Sequence, residues 1–371
     1  MPADNTPHGP TRAQVIVITG ASSGVGRATA IAFARRGCTI GLLARGEDGL
    51  AGTVRDVEAA GGRAMAVPTD VSDPHAVESA AATIEEAFGP IDVWVNNAMT
   101  AVFAPTWDMT ADEFKRVTEV SYLGYVYGTL AALKRMLPRD RGVIIQVGAA
   151  LAYRSIPFVS AYCAAKHAVK GFTESLRVEL MHRRSRVRTT LVHLPAMNTP
   201  AFRTIRNKMP RRVQPIPPIY QPELAAEAIL WSVSHARREL FVGWPTIKAV
   251  FGNRIAPRTA DRWLATSALD HALYDGPNDP DQPDALFSPV PGDQGAHGDF
   301  DHRSRDVSWA LWADMNRRWL APAAFATLGL LAASLIPTFR AAGRARQRPL
   351  AANLLPRRPL QAGRRAAFAR A

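Results

Sequence analysis

Thr19-Gly20-Ala21-Ser22-Ser23-Gly24-Val25-Gly26 follows directly on an apolar run, residues 14–19, and opens a segment of helical periodicity, residues 24–36. A glycine cluster between a strand and a helix constrains a fold more than any other feature of this chain. Gly20 permits a tight turn. Gly24 and Gly26 let backbone approach a pyrophosphate and let the helix pack on the strand. The helix start then presents free N–H groups and a partial positive charge to phosphate.

The same alternation continues. Short apolar runs at 38–44, 63–68, 91–96, 142–147 and 187–193 are separated by helix-period segments at 47–60, 73–88, 111–137 and 160–183. A further helix at 222–237 precedes a seventh strand at 239–243. Continuous apolar strands alternating with helices predict an α/β fold, a doubly wound parallel Rossmann sheet of about seven strands with helices on both faces. A C-terminal extension comes after it. The predicted organisation is a flexible N-terminus at 1–11, the Rossmann domain at 12–245 and a helical extension at 246–269. Beyond these come an Asp/Pro/Gly-rich linker without a core of its own at 270–306, a helical apolar segment at 307–339 and an Arg-rich tail at 340–371.

The net charge of +13 suggests nucleic acid until it is located. Nine arginines and no acids lie between 338 and 371, which leaves +4 on the other 337 residues. The tail has only two aromatic residues, Phe339 and Phe368, so it lacks the aromatic-basic interleaving of a nucleic-acid binder. Residues 319–339 carry no charge, and 21 residues of helix could span a bilayer core. Pro322, Pro337 and much alanine weaken that drive. The Arg-rich tail and the main domain would also fall on opposite sides of a single span. A helix lying at a membrane surface avoids the conflict, and a helix packed against protein is the equal alternative. The two cysteines, Cys38 and Cys163, sit in apolar periodic segments and read as reduced and structural. No metal-ligand spacing is present, and the N-terminus has no secretory signal, so a cytoplasmic protein is expected.

With its TGxxxGxG glycine signature, the chain resembles the classical short-chain dehydrogenase/reductase family over about two-thirds of its length. The resemblance implies cofactor contacts from Gly20, Ser22, Ser23, Gly24, Val25 and Gly26. It implies further contacts from Asp70-Val71, where the Asp meets the adenine amino group, and from Asn97-Ala98 of an NNA segment. Thr199 would bond the nicotinamide carboxamide. The second strand ends in Arg45, where NAD-binding relatives carry an acid for the ribose hydroxyl. A guanidinium suits a 2′-phosphate, so NADP(H) is the expected cofactor.

Tyr162 and Lys166 match the family's YxxxK motif and stand one helical turn apart, so both reach one side. A free tyrosine, with a pKa of about 10, is a poor acid-base catalyst at neutral pH. A neighbouring ammonium favours the phenolate, and Tyr162 would then exchange a proton with a carbonyl oxygen. Two usual partners differ. The family's serine thirteen residues before the tyrosine is Ala149, and Ser121 stands where an asparagine normally supports a water. Tyr153, Ser155 and Ser160 are nearby hydroxyls that could replace the missing serine. Two readings stay open: a working carbonyl/alcohol oxidoreductase for a lipophilic small molecule, or an NADP(H)-binding scaffold with impaired catalysis. The resemblance also implies a dimer or tetramer. Residues 200–221 form the expected substrate lid, with Phe202, Ile205, Met209, Ile216, Ile219 and Tyr220 among Arg203, Arg206, Lys208, Arg211 and Arg212. That mixture suits an apolar ligand with an acidic end, or simply a solvated basic loop.

Overall fold

A computed structural model describes residues 14–279, 281–318 and 320 of the chain. The 1–11 N-terminus, nearly all of the apolar 319–339 stretch and the 340–371 tail lie outside the described residues. The chain divides into two compact units, residues 1–315 and 316–371. The second contributes only residues 316–318 and 320, all helical, to the described part. Among the described residues, no helix is long and apolar enough to cross a membrane.

The first unit is built on seven parallel strands. In chain order they are β1 (Val15–Thr19), β2 (Thr39–Ala44), β3 (Arg63–Pro68), β4 (Val93–Asn96), β5 (Val143–Ala149), β6 (Arg188–Leu194) and β7 (Glu239–Phe241). In space the order is β3-β2-β1-β4-β5-β6-β7, with β1 paired to both β2 and β4. The chain therefore reverses direction across the sheet at β1/β4. Open parallel sheets bind ligands in the crevice at the carboxyl ends of the strands beside such a reversal.

All five residues of β1 are buried because both of its faces are covered. Ile16 and Ile18 join one core with Ile40, Leu42, Phe33 and Ile229. Val15 and Val17 join the opposite core with Ile84, Trp94, Leu176 and Leu180. The period of two along a strand produces this split, and each large aliphatic side chain buried contributes roughly 1.5–3 kcal/mol. The covering helices are α1 (Gly24–Ala34), α2 (Glu47–Ala59), α3 (Pro74–Phe88), α4 (Ala111–Thr118), α5 (Gly124–Met136), α6 (Ser160–His182) and α7 (Pro222–Ser234). Sequence supplies their starts. The Asp73 carboxylate caps α3 by accepting from the His75 and Ala76 amides, and Thr110 with Glu113 forms a reciprocal capping box on α4.

One expected helix is not uniform. The 111–137 segment is broken by a π-helical turn, Glu119–Leu123, between α4 and α5. Such a turn inserts an extra residue into the helical repeat and rotates the helix beyond it. The 246–269 stretch becomes two helices, α8 (Trp244–Ile255) and α9 (Pro257–Ala272). The expected linker has little regular structure, yet it is packed. It is held at both ends by short ladders, Leu273–Pro277 against Arg211–Val213 and Ser304–Arg305 against Ile219–Tyr220. Leu286 and Phe300 within it are buried.

Candidate active site

The β1–α1 turn shows why glycine is needed. Gly20 has φ +67°, and a Cβ there would come within 2.7 Å of the Ala98 Cα. A Cβ on Gly26 would lie 2.1 Å from the Gly20 carbonyl oxygen, so α1 could not pack so tightly on the turn. The NNA segment braces the same turn. Asn97 Nδ2 donates to the carbonyls of Thr19 and Gly20, at 3.0 and 3.2 Å. The Thr19 hydroxyl accepts from the amides of Asn97 and Ala98. Asn96 is a different kind of residue: its amide is buried and bonded to Gln146, Thr129 and the Tyr125 carbonyl.

From this turn a cavity of about 970 Å³ runs along the carboxyl ends of the strands. Gly20, Ser22, Ser23, Gly24 and Val25 line one end, with Arg45, Asp70 and Val71 beside them. Asn97, Ala98 and Thr199 line its middle, and Tyr162 and Lys166 the far wall. Gly26 and Ser121 do not line it. Gly26 acts from behind, through the packing just described. Asp70 accepts from the amide and hydroxyl of Ser72 and pairs with Arg116 at 2.6 Å. Burial alone would raise its pKa, but these bonds outweigh it and hold the carboxyl below its ordinary range. Arg116 belongs to no motif; in the sequence it is one more cation on an amphipathic helix.

Tyr162 and Lys166 both project from α6. The ammonium lies 5.4 Å from the Tyr162 ring centre and 4.4 Å from that of Tyr125. Lys166 Nζ donates to the Tyr125 hydroxyl at 2.8 Å and to the Val147 carbonyl at 2.9 Å. An ammonium has three donors, so two are spent and one remains for the cavity. Burial pushes the Lys166 pKa down to about 7, and burial pushes that of Tyr162 up. Tyr125 is a partner that no motif signalled. It is held on α5 and donates its own proton to the Val147 carbonyl.

Ser121 is engaged with backbone. It lies in the π-helical turn, donates to the Thr100 carbonyl at 2.7 Å and accepts from the Thr100 amide at 2.9 Å. Its hydroxyl thus holds the loop after β4. Ala149 ends β5 on the cavity wall. None of the three candidate replacement hydroxyls lines the cavity. Tyr153 donates to the Glu239 carboxylate, Ser160 accepts from Thr106, and Ser155 is exposed. Behind Ala149, His193 is fully buried, with Nδ1 3.3 Å from the Ala149 carbonyl and Nε2 3.6 Å from Glu239. Burial would raise the Glu239 pKa, but contacts with His193 and Tyr153 bring it to about 2.

Three of the five lid cations are paired with acids. Arg203 pairs with Asp299, Arg206 with Asp284 and Glu113, and Lys208 with Glu113. Phe202, Ile205 and Ile216 face the cavity, as do Trp244 and Trp263 from α8 and α9. The substrate end is therefore largely apolar. Its polar lining includes Arg154, which is already bonded to Asn253 and Asp261.

Known proteins are similar to this chain in sequence and fold. The model of the short chain dehydrogenase family matches residues 14–210. An uncharacterized oxidoreductase of Bacillus subtilis, YxnA, is 34% identical over 278 residues, covering 74% of this chain and 78% of its own. That length exceeds the Rossmann part, so the similarity reaches into the extension. A metagenomic short-chain oxidoreductase solved in complex with NADP superposes with a TM-score of 0.53 at 27% identity, over 62% of this chain and 96% of that one. An alcohol dehydrogenase from the archaeon Thermococcus sibiricus, complexed with 5-hydroxy-NADP, does so with a TM-score of 0.53 at 26% identity, over 62% and 95%. With its parallel seven-stranded sheet, its glycine turn and these matches, the chain belongs to the short-chain dehydrogenase family of oxidoreductases.

Proposed function

We propose that the protein is an NADP(H)-dependent oxidoreductase that interconverts a ketone or aldehyde with an alcohol on a lipophilic substrate. One observation carries this reading: Tyr162 and Lys166 open onto the same cavity as the Gly20–Val25 turn, with a spare Lys166 donor between them. The residues fit a dinucleotide. Ser22, Gly24 and Val25 offer groups to the pyrophosphate, Arg45 to a 2′-phosphate, and Thr199 to the carboxamide. When bound, the nicotinamide supplies or takes the hydride. NADP and 5-hydroxy-NADP in the two similar solved structures support the choice of cofactor.

The protein's own work is proton management. In reduction, Tyr162 donates its hydroxyl proton to the carbonyl oxygen, and the resulting phenolate is stabilised by the Lys166 ammonium. In oxidation the same proton returns. A raised pKa makes the buried tyrosine a weaker acid, so the cationic form of Lys166, which stabilises the phenolate left behind, governs how readily Tyr162 gives up its proton. Tyr125 and the Val147 carbonyl fix the amine in place. The apolar wall of Phe202, Ile205, Ile216 and Trp263 excludes water and suits a hydrocarbon-rich substrate.

The second reading, an NADP(H)-binding protein with impaired catalysis, is favoured by Ala149 and by the absence of Tyr153, Ser155 and Ser160 from the cavity wall. NADPH oxidation against a panel of lipophilic ketones and aldehydes separates the two. Turnover by the native chain that disappears in Tyr162→Phe supports the enzyme. NADPH binding without turnover, together with activity gained in Ala149→Ser, establishes the second reading instead. A dimer or tetramer and a membrane-surface location are further parts of this proposal, to be checked by light scattering and by flotation with anionic vesicles.

A further inference from the structure

Residues 281–303 border the cavity, which Ala285, Pro289, Val290, Gly292 and Gln294 help to line, between the two short ladders that fix the ends of this segment. Leu286 is wholly buried among Val102, Ala104, Val117 and Ala161. The main-chain carbonyls of Ala285, Leu286 and Phe287 surround the Arg45 guanidinium, that of Phe287 at 2.8 Å. Leu286 also accepts from Arg116 at 3.0 Å. Further along, Asp293 pairs with Arg27 and Arg55, the Gly292 amide donates to Asp48, and the Gly295 carbonyl accepts from the Gly24 amide at 3.1 Å. Asp299 and Asp284 tie the segment to Arg203 and Arg206.

Two of these contacts matter chemically. The Gly24 amide and the Arg45 guanidinium are donors that a dinucleotide's phosphates would use; the Gly295 carbonyl takes the single Gly24 N–H, and strap carbonyls take three of the five Arg45 N–H groups. A carbonyl and a phosphate oxygen cannot both accept along one N–H at full strength. We propose that residues 284–301 are an intrasteric strap, which competes with the phosphates of NADP(H) and must release before the dinucleotide seats. This rests on the proposed NADP(H) cofactor. The anchors suit such a device. Away from Leu286 and Phe300 they are partly exposed ion pairs and single hydrogen bonds rather than sheet, and Gly292 and Gly295 turn the chain at φ +83° and +73°. The strap can therefore detach while its two end ladders stay formed.

The test uses the full chain and NADPH, followed by stopped-flow fluorescence and by hydrogen exchange. If release precedes binding, the observed binding rate levels off at high NADPH instead of rising linearly. The double variant Asp284→Ala/Asp299→Ala, which alters neither Gly24 nor Arg45, should raise that plateau at least fivefold and tighten NADPH binding by a similar factor. In the native chain, NADPH should speed exchange at the Gly292 and Gly295 amides, which the closed strap bonds to Asp48 and Asp293. A linear binding rate, weaker binding in the variant, or slower exchange at those amides would overturn the proposal and make the strap a retaining wall. Absence of NADPH binding in both chains would remove the cofactor reading and the strap's role together, whereas binding without these signatures removes only the strap's role.

Discussion

The sheet and the strap border the same cavity but are held by different physics. The strands are fixed by continuous parallel ladders with both faces buried, as when Ile16 meets Ile40 on one side and Val93 on the other. The strap has two buried apolar anchors and a row of partly exposed ion pairs. Exposed pairs contribute about 0.2–1 kcal/mol each, whereas a core position resists truncation by several times that amount. The contrast separates a permanent frame from a part that can leave it. In the proposed mechanism, function divides along the same line, with proton transfer on the frame and cofactor access on the strap.

The largest effect should come from the frame's reacting group. Tyr162→Phe keeps the ring's packing and removes its proton, and it should lower kcat by about 10²–10⁴ with NADPH affinity unchanged; steady-state kinetics beside an NADPH titration check this. Next, Ala149→Ser restores a donor at the end of β5 and should raise kcat by up to about 10²–10³. No gain would mean that another cavity group already holds the substrate oxygen. A matched pair then probes the comparison itself. Ile18 and Leu286 are both fully buried. Ile18→Ala should cost about 2–5 kcal/mol of global stability by denaturant unfolding. Leu286→Ala should leave the unfolding midpoint within about 1 kcal/mol of the native value while deprotecting residues 284–301 in hydrogen exchange. Equal global losses would make the strap part of the frame.

The smallest expected effect is on pH. The Lys166 pKa is lowered to about 7 by burial, so its cationic form, present below that value, is lost as pH rises through it. Carbonyl reduction, which needs both the Tyr162 proton and the Lys166 charge, should fall above about pH 7 by at most tenfold per pH unit. Lys166→Arg should move that limb upward if the charge is what titrates, because a guanidinium stays protonated throughout.

The parts of this molecule that are legible in the sequence depend on short spacings. The glycine turn, the one-turn spacing of Tyr162 and Lys166, and the strand–helix alternation are all local patterns. The surroundings of Ser121 are not legible there, since a π-helical turn at 119–123 sets it against the Thr100 backbone. The hidden parts depend on distant residues. Arg203, Arg206 and Lys208 look like ligand charges until Asp299, Asp284 and Glu113 arrive from elsewhere in the chain. Tyr125 carries no motif, yet it bonds Lys166 across 41 residues. The Asp-rich stretch reads as linker because its composition is that of a loop, and only the frame shows what it borders.

The Arg45 contacts with the strap span 240–242 residues of chain. At roughly 5–20 residues per second of synthesis, residues 285–287 leave the ribosome roughly ten to fifty seconds after Arg45. Throughout that interval the growing chain carries a glycine turn and a guanidinium with no strap to answer them. The cavity's lining from Gly20 to His271 is made before residues 285–287, so the strap is added to a groove whose other walls nearly all precede it.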